Sequence, residues 1–177
     1  MVRLVDYASD GLAPASWRMF AGEGADPVQY ALSRALRDRG GFCWPNATMA
    51  DLDGRTAGML VAHPLDESVN PDDWPDLFRP FIRLENLRIG WTYIAALAVE
   101  PWARGRGIGS ALLHSLSHRP TCLIRGDTNR AATLYRRHGY ADVDREAVVE
   151  GAGWSSPYRH WVLMDRPIGL APVRETR

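Results

Sequence analysis

Apolar residues recur along this chain with two different periods, and the changes of period set the predicted order of elements. Residues 26–39, DPVQYALSRALRDR, place Val28, Ala31, Leu32 and Leu36 three and four apart, on one face of a helix. Asp26 can cap that helix, Pro27 suits its first turn, and Gly40-Gly41 ends it. A helix is also predicted over 12–22. ATMADL and TAGMLVAH flank Asp53-Gly54, a dipeptide suited to a two-residue hairpin turn, so two antiparallel strands follow. Residues 64–75 are polar and turn-rich, and LFRPFIRLENL then has helical spacing interrupted by Pro80, which predicts a loop and a short helix. YIAALAV, 93–99, is a bounded apolar run of strand length. A turn leads to the helix-patterned GSALLHSLSH, then to a buried strand, TCLIR, at 121–125. Asn129 opens a third helix, NRAATLYRRH, which Gly139 ends, and ADVDREAVV and RHWVLMDR read as strands. The order is that of a mixed α/β protein with a central strand–loop–helix–strand unit.

The 177 residues, 46% of them hydrophobic, suffice for one sizeable core and predict a single domain over 1–168 with a loose tail at 169–177. No apolar run reaches the length of a membrane span, and MVRLVDYASD lacks the apolar centre of a signal peptide. Cys43 and Cys122 are too few for a disulfide framework, so a reducing cytoplasm is the expected compartment. The 21 basic and 21 acidic residues cancel, which removes the global positive field of a nucleic-acid binder. They are unevenly placed: residues 1–90 hold 9 Arg against 13 acids, and residues 91–177 hold 12 Arg against 8. The second half therefore suits an anionic ligand. All 21 basic residues are arginine, for which codon bias in a GC-rich genome is sufficient reason.

The loop after strand 93–99 reads Glu100-Pro101-Trp102-Ala103-Arg104-Gly105-Arg106-Gly107-Ile108-Gly109-Ser110. Glycine at every second position permits positive φ and close approach of another group, and a helix starting here would aim its first N–H groups at whatever fills the loop. Arg104 and Arg106 add charge, so a diphosphate is a natural guest. An ordinary glycine-rich turn with solvated arginines accounts for the same residues almost equally well. A dinucleotide fingerprint, with Gly105, Gly107 and Asp127, fits poorly: position 110 is Ser, and five residues separate strand from first glycine. The absence of lysine excludes a phosphate-binding loop of the G-K-[ST] type.

Arg104-x-x-Gly107-x-Gly109 after ALAV and Pro101 resembles the acyl-CoA signature of the GNAT N-acetyltransferases. Asn129, Ala132, Leu134-Tyr135 and His138-Gly139-Tyr140 resemble the family's second motif, N-x-x-A-x-x-L-Y-x-x-x-G-F/Y, in the right order and spacing. The resemblance is close over 93–145 and implies a single-domain α/β fold with a mixed, mostly antiparallel central sheet flanked by helices. It implies acetyl-CoA as cosubstrate, with no metal, and acetyl transfer to a small-molecule or peptide amine. It further implies that Arg104, Gly105, Arg106, Gly107, Ile108, Gly109 and Ser110 hold the pyrophosphate, and that Asn129 meets the pantetheine arm, a role Asn129 can combine with capping a helix. The main chain of Leu97, Ala98 and Val99 would hold the thioester carbonyl, their side chains being core. Tyr135 falls where the family commonly protonates the coenzyme A sulfur; a phenol is protonated at neutral pH and can donate, although packing a helix on the sheet is a competing reason for it.

The general base departs from the pattern, because Tyr93 stands where some members place a Glu, and a phenol is a poor base. Glu85 is the first candidate, ahead of Glu100 and His63. A solvated charge on a helix surface is the simpler reading of Glu85, and a water chain without a dedicated side chain is an equal alternative. No G-x-S-x-G elbow marks a nucleophile, which favours direct transfer. His114 and His118, with Cys122 beyond, imitate a metal face but lack the H-E-x-x-H pattern. A catalytically silent acyl-CoA-binding or regulatory domain is the alternative function. Neither a nucleic acid nor a membrane is expected as partner, and the family's frequent dimers make a homodimer one expectation. The acceptor amine is not written in these residues.

Overall fold

The computed structural model describes residues 1–168; the expected tail at 169–177 lies outside them. Along the chain come helices α1 (Val2–Ala8), α2 (Leu12–Ala21) and α3 (Pro27–Ala35), then strands β1 (Ala47–Leu52) and β2 (Arg55–Pro64). After these lie α4 (Arg79–Asn86), β3 (Thr92–Val99), α5 (Ile108–His114), β4 (Thr121–Gly126), α6 (Ala132–Arg137), β5 (Ala141–Ala147) and β6 (His160–Arg166). The strands form one mixed sheet in the order β1-β2-β3-β4-β6-β5. β3 and β4 are parallel, whereas β1 with β2, β4 with β6, and β5 with β6 are antiparallel. This is the mixed, mostly antiparallel sheet flanked by helices that the pattern and the resemblance implied.

Local chemistry explains most boundaries. Asp53 and Gly54 both have positive φ, 55° and 74°, and the Gly54 N–H donates to the Asp51 carboxylate at 2.8 Å, so the hairpin turns where it was expected. Asp26 accepts from the Val28 N–H at 2.8 Å and caps α3. The buried face of α3 differs from the expected one: Ala31 and Ala35 are buried, while Val28, Leu32 and Leu36 are 51%, 39% and 76% exposed. Small alanines let α3 lie close against α1 and α2, which leaves its larger side chains outside. The helix also stops at Ala35, well short of Gly40-Gly41. Pro80 opens α4 instead of interrupting it, because its missing N–H is one that a first turn leaves unbonded.

The chain forms two compact units. The first comprises Met1–His63, Ala95–Leu112 and Glu150–Pro157, and the second Pro64–Ile94, Leu113–Val149 and the residues from Tyr158 on. In the first, Leu4, Met59, Val61, Ala96 and Ala98 make a core to which Met1, Val5, Ala8 and Ala47 add. Burying each large side chain of this kind contributes about 1.5–3 kcal/mol. In the second, Leu84, Leu113, Leu123, Leu163 and Met164 are almost wholly buried. Ion pairs fix α4 and the turn after it on their sheet there: Arg83 of α4 to Glu146 at 3.2 Å on β5, and Arg88, two residues past the helix, to Asp165 at 2.7 Å on β6. Buried Arg125 is satisfied by the Gly126 and Asp127 carbonyls at 2.9 and 3.0 Å and by Asp142 at 2.9 Å, which removes the penalty of an unpaired interior charge. The parallel register pairs Thr92, Tyr93 and Ile94 with Thr121, Cys122 and Leu123.

Candidate active site

In the first unit the glycine loop follows β3. Pro101–Ala103 form a single 3-10 turn with Ala103 fully buried, and α5 begins at Ile108. Gly105 and Gly107 have φ of 74° and 79°, and a Cβ on either would meet nothing within 4 Å. Glycine is therefore required at both by conformation, and the space a side chain would fill is open. The Ala111 N–H bonds the Gly107 carbonyl at 2.9 Å; N–H groups of a first helical turn have no carbonyl one turn back. Arg104 and Arg106 are exposed, and Arg104 Nε donates back to the Val99 carbonyl at 3.2 Å, bracing the loop on the strand it leaves. Ala98 is core, while Leu97 and Val99 are half-buried. Gly58, not singled out from sequence, positions this strand end: a Cβ there would lie 2.8 Å from the Ala98 carbonyl and 3.0 Å from Ile108. A glycine amid a strand is the signal that could have found it.

In the second unit lies a cluster of ionisable side chains around Tyr93. Glu85, on the last turn of α4, is partly buried and accepts a hydrogen bond from the Tyr93 hydroxyl, so it is no solvated surface charge. Burial lifts its carboxyl to about 7, with the Tyr93 bond pulling the other way. Tyr93 is held well above the ordinary phenol range, by burial first, then by Glu85, Cys122 and Tyr135 nearby. Burial, with Glu85 next, pushes the Cys122 thiol up to about 12, so this cysteine stays protonated and inert. Tyr135 is buried on α6, its ring edge-on to Tyr140 at 5.9 Å. Burial, reinforced by Tyr140 and opposed by Arg125, raises it to about 12, which keeps it a proton donor at neutral pH. Glu85 and Tyr135 thus share one electrostatic neighbourhood through Tyr93.

Asn129 closes the turn before α6, its side-chain oxygen accepting from the N–H of the N-cap residue Ala131 at 2.8 Å, and its amide donates to the Tyr158 hydroxyl at 3.4 Å; the helical cap expected of it is not made. The helix itself begins three residues after Asn129, at Ala132. Tyr158 lies flat against Gly126, where a Cβ would come within 2.2 Å of its ring. Nothing in the local pattern pointed to Tyr158, since it precedes a strand by chain order alone. The other base candidates belong to the first unit: Glu100 is buried in an ion pair with Arg3, and His63 packs against Gly41. Asp127, weighed above as a ribose contact, pairs with His160 at 3.3 Å. Against the opposing effect of its own burial, bonds from His160 and from backbone N–H groups hold its carboxyl below the usual range. His114 ends α5, so His118 lies outside that helix, where it accepts from Arg119 at 3.1 Å. Among the described residues there is no group of three or more side chains that could hold a metal ion, and no helix long and apolar enough to cross a membrane.

Residues 45–142 match the family model of the acetyltransferase (GNAT) domain, a span of just over half the chain that contains the loop, Glu85, Asn129 and Tyr135. The chain belongs to the GNAT acetyltransferase family. Solved GNAT-fold structures agree at low identity. A Drosophila melanogaster polyamine N-acetyltransferase is 17% identical with a TM-score of 0.59, over 94% of this chain and 93% of that one. A Corynebacterium glutamicum protein described as histone acetyltransferase HPA2 and related acetyltransferase is 19% identical with a TM-score of 0.55, over 97% and 91%. An N-acetyltransferase from Staphylococcus aureus is 15% identical with a TM-score of 0.54, over 89% and 92%. At these identities the likeness concerns the fold. No curated protein matches the chain.

Proposed function

We propose that this GNAT chain moves an acetyl group from acetyl-CoA directly onto an amine, residues 1–168 serving as one transferase domain. The observation that carries the proposal is Glu85: a carboxyl lifted to about 7, hydrogen-bonded to Tyr93, in the same surroundings as a protonated Tyr135. A base works best when its pKa lies near the operating pH, and a donor must keep its proton until charge develops on the leaving atom. Glu85 takes the proton from the attacking nitrogen as that nitrogen bonds to the thioester carbon. The carbon–sulfur bond breaks, and Tyr135 gives its proton to the departing sulfur. The products are an acetamide and the coenzyme A thiol, and the Glu85 proton returns to Tyr135 through solvent.

The glycine loop and strand end of the first unit and Asn129 of the second supply the binding chemistry. Arg104, Gly105, Arg106, Gly107, Ile108, Gly109 and Ser110 suit the pyrophosphate, because exposed guanidinium groups flank open space above main chain that no side chain covers. The main chain of Leu97, Ala98 and Val99 would bind the thioester carbonyl, and Asn129 the pantetheine arm. Two measurements test the proposal. Calorimetric titration with acetyl-CoA, run beside NAD at equal salt, gives selective binding of acetyl-CoA; equal or preferred binding of NAD contradicts it. Release of free coenzyme A thiol on a panel of amines then reports transfer, and binding without release on every amine tested contradicts the transfer step.

A further inference from the structure

In the first unit, helix α3 buries its small residues and turns its large apolar ones to water. Val28, Leu32 and Leu36 stand four residues apart and form one ridge along the helix, and all three are exposed. Leu36 caps the helix but stays on the ridge, because its N–H still bonds the Leu32 carbonyl at 3.0 Å. A single exposed leucine is ordinary, whereas a continuous apolar row in contact with water marks a surface that another surface covers. On one side the ridge borders buried Ala31 and Ala35, and on the other exposed Gln29 and Ser33. Neither is charged, so covering this face dries no ion.

The two ends of the ridge differ in charge. Glu23 and Asp26 precede the helix, and Arg34, Arg37 and Arg39, outnumbering Asp38, close it. Among the described residues none of Glu23, Asp26, Arg34, Arg37 and Arg39 is in an ion pair, and the buried Nε of Arg37 has no hydrogen-bond partner. Such a face is complementary to itself. When a second copy is turned end for end about a twofold axis at Leu32, its Val28 meets this Leu36, its Leu36 meets this Val28, and its basic end meets this acidic one. Parallel pairing would set like charges together at both ends, which is unfavourable.

We propose that α3 is the contact face of a homodimer, two copies meeting antiparallel along Val28, Leu32 and Leu36. Ridges of residues four apart are the ones that pack into the grooves of another helix. A helix of nine residues buries less than the ~800 Å² per partner of a standard interface, so the dimer is a weak one that dissociates in the micromolar range. Leu32 lies on the axis, meets its own copy and is the most fully covered of the three, which makes it the residue on which affinity depends most.

The test is sedimentation equilibrium of the full chain under reducing conditions, from about 1 to about 300 μM. The expected result is a monomer–dimer equilibrium, with the dimer dissociation constant raised at least about tenfold by Leu32→Glu and the thermal melt unchanged. Glu23→Arg and Arg39→Glu each weaken the dimer about threefold, and the two together restore it. Mild oxidation of Leu32→Cys cross-links two copies through the axis, whereas Val28→Cys, one turn away from it, does not link to itself. Cys43 and Cys122 are buried and give no background. Monomer at every concentration, a dimer that Leu32→Glu leaves intact, no recovery in the combined charge variant, or cross-linking of Val28→Cys in place of Leu32→Cys overturns the proposal.

Discussion

The glycine loop of the first unit and the Glu85–Tyr93–Tyr135 cluster of the second do opposite things with water. Arg104, Gly105, Arg106 and Gly107 are exposed, and what the loop offers is main chain held open by positive φ at two glycines. In the cluster, Tyr93 and Tyr135 are buried and Glu85 partly so, and it is burial that moves their proton affinities. Affinity for a diphosphate needs accessible donors and fixed positive charge, whereas proton transfer at neutral pH needs a carboxyl removed from water. One region is therefore sensitive to backbone strain and the other to dielectric environment.

Substitutions that separate these two sensitivities sharpen the contrast. Glu85→Gln keeps size and a hydrogen-bonding group beside Tyr93 but cannot take a proton, so turnover at pH 8 falls by about a hundredfold to ten-thousandfold, with acetyl-CoA affinity unchanged by calorimetry. Tyr135→Phe lowers the single-turnover rate by about a hundredfold, again without loss of acetyl-CoA affinity. Gly107→Val forces a β-branched residue to a φ of 79° and weakens acetyl-CoA binding about tenfold or more, the equivalent of at least ~1–2 kcal/mol of strain. If Gly107→Val left affinity untouched while Glu85→Gln abolished it, the division of labour would be reversed.

A separate effect of the same carboxyl is read in stability, not in rate or affinity. The Glu85 carboxyl binds its proton more tightly folded, at about 7, than at its ordinary 4.5, so between these values the native state holds the extra proton. Stability from this group is full below 4.5 and is lost as pH rises towards about 7. Glu85→Gln then stabilises the protein at pH 8 by up to about 3 kcal/mol, read as a Tm higher by up to about 6–12 °C in thermal melts, with no gain at pH 4.5. A variant both more stable and far less active is the signature of a residue held for function.

These regions also differ in how far they could be read from the chain alone. The loop is local: glycines at alternate positions between a strand and a helix state their own backbone requirement, and Asn129 closes a turn on Ala131 two residues on. The hairpin at Asp53-Gly54 was legible for the same reason. The cluster is not local, because the environment of Glu85 is made by Tyr93 on β3 and by the contacts of α4 and the turn after it to β5 and β6 through Arg83 and Arg88. Periodicity gave Glu85 as a helix residue and could not say which side of the helix would be dry. It misassigned α3 likewise, since leucines outrank alanines in any apolar count, yet close helix approach selects Ala31 and Ala35. Tyr158 meets Asn129 and Gly126 only through the pairing of β6 with its neighbours, which no spacing in the sequence encodes.

The claim that Glu85 is the base is tested most directly by the pH dependence of kcat/KM, compared between the wild-type protein and Glu85→Gln on one amine. The acceptor's own ionisation appears in both profiles. The account predicts that the wild-type profile carries an additional rise centred near 7, as the carboxyl ionises, and that the variant lacks it. The same rise near 7 in both proteins would contradict it and assign proton removal to another group.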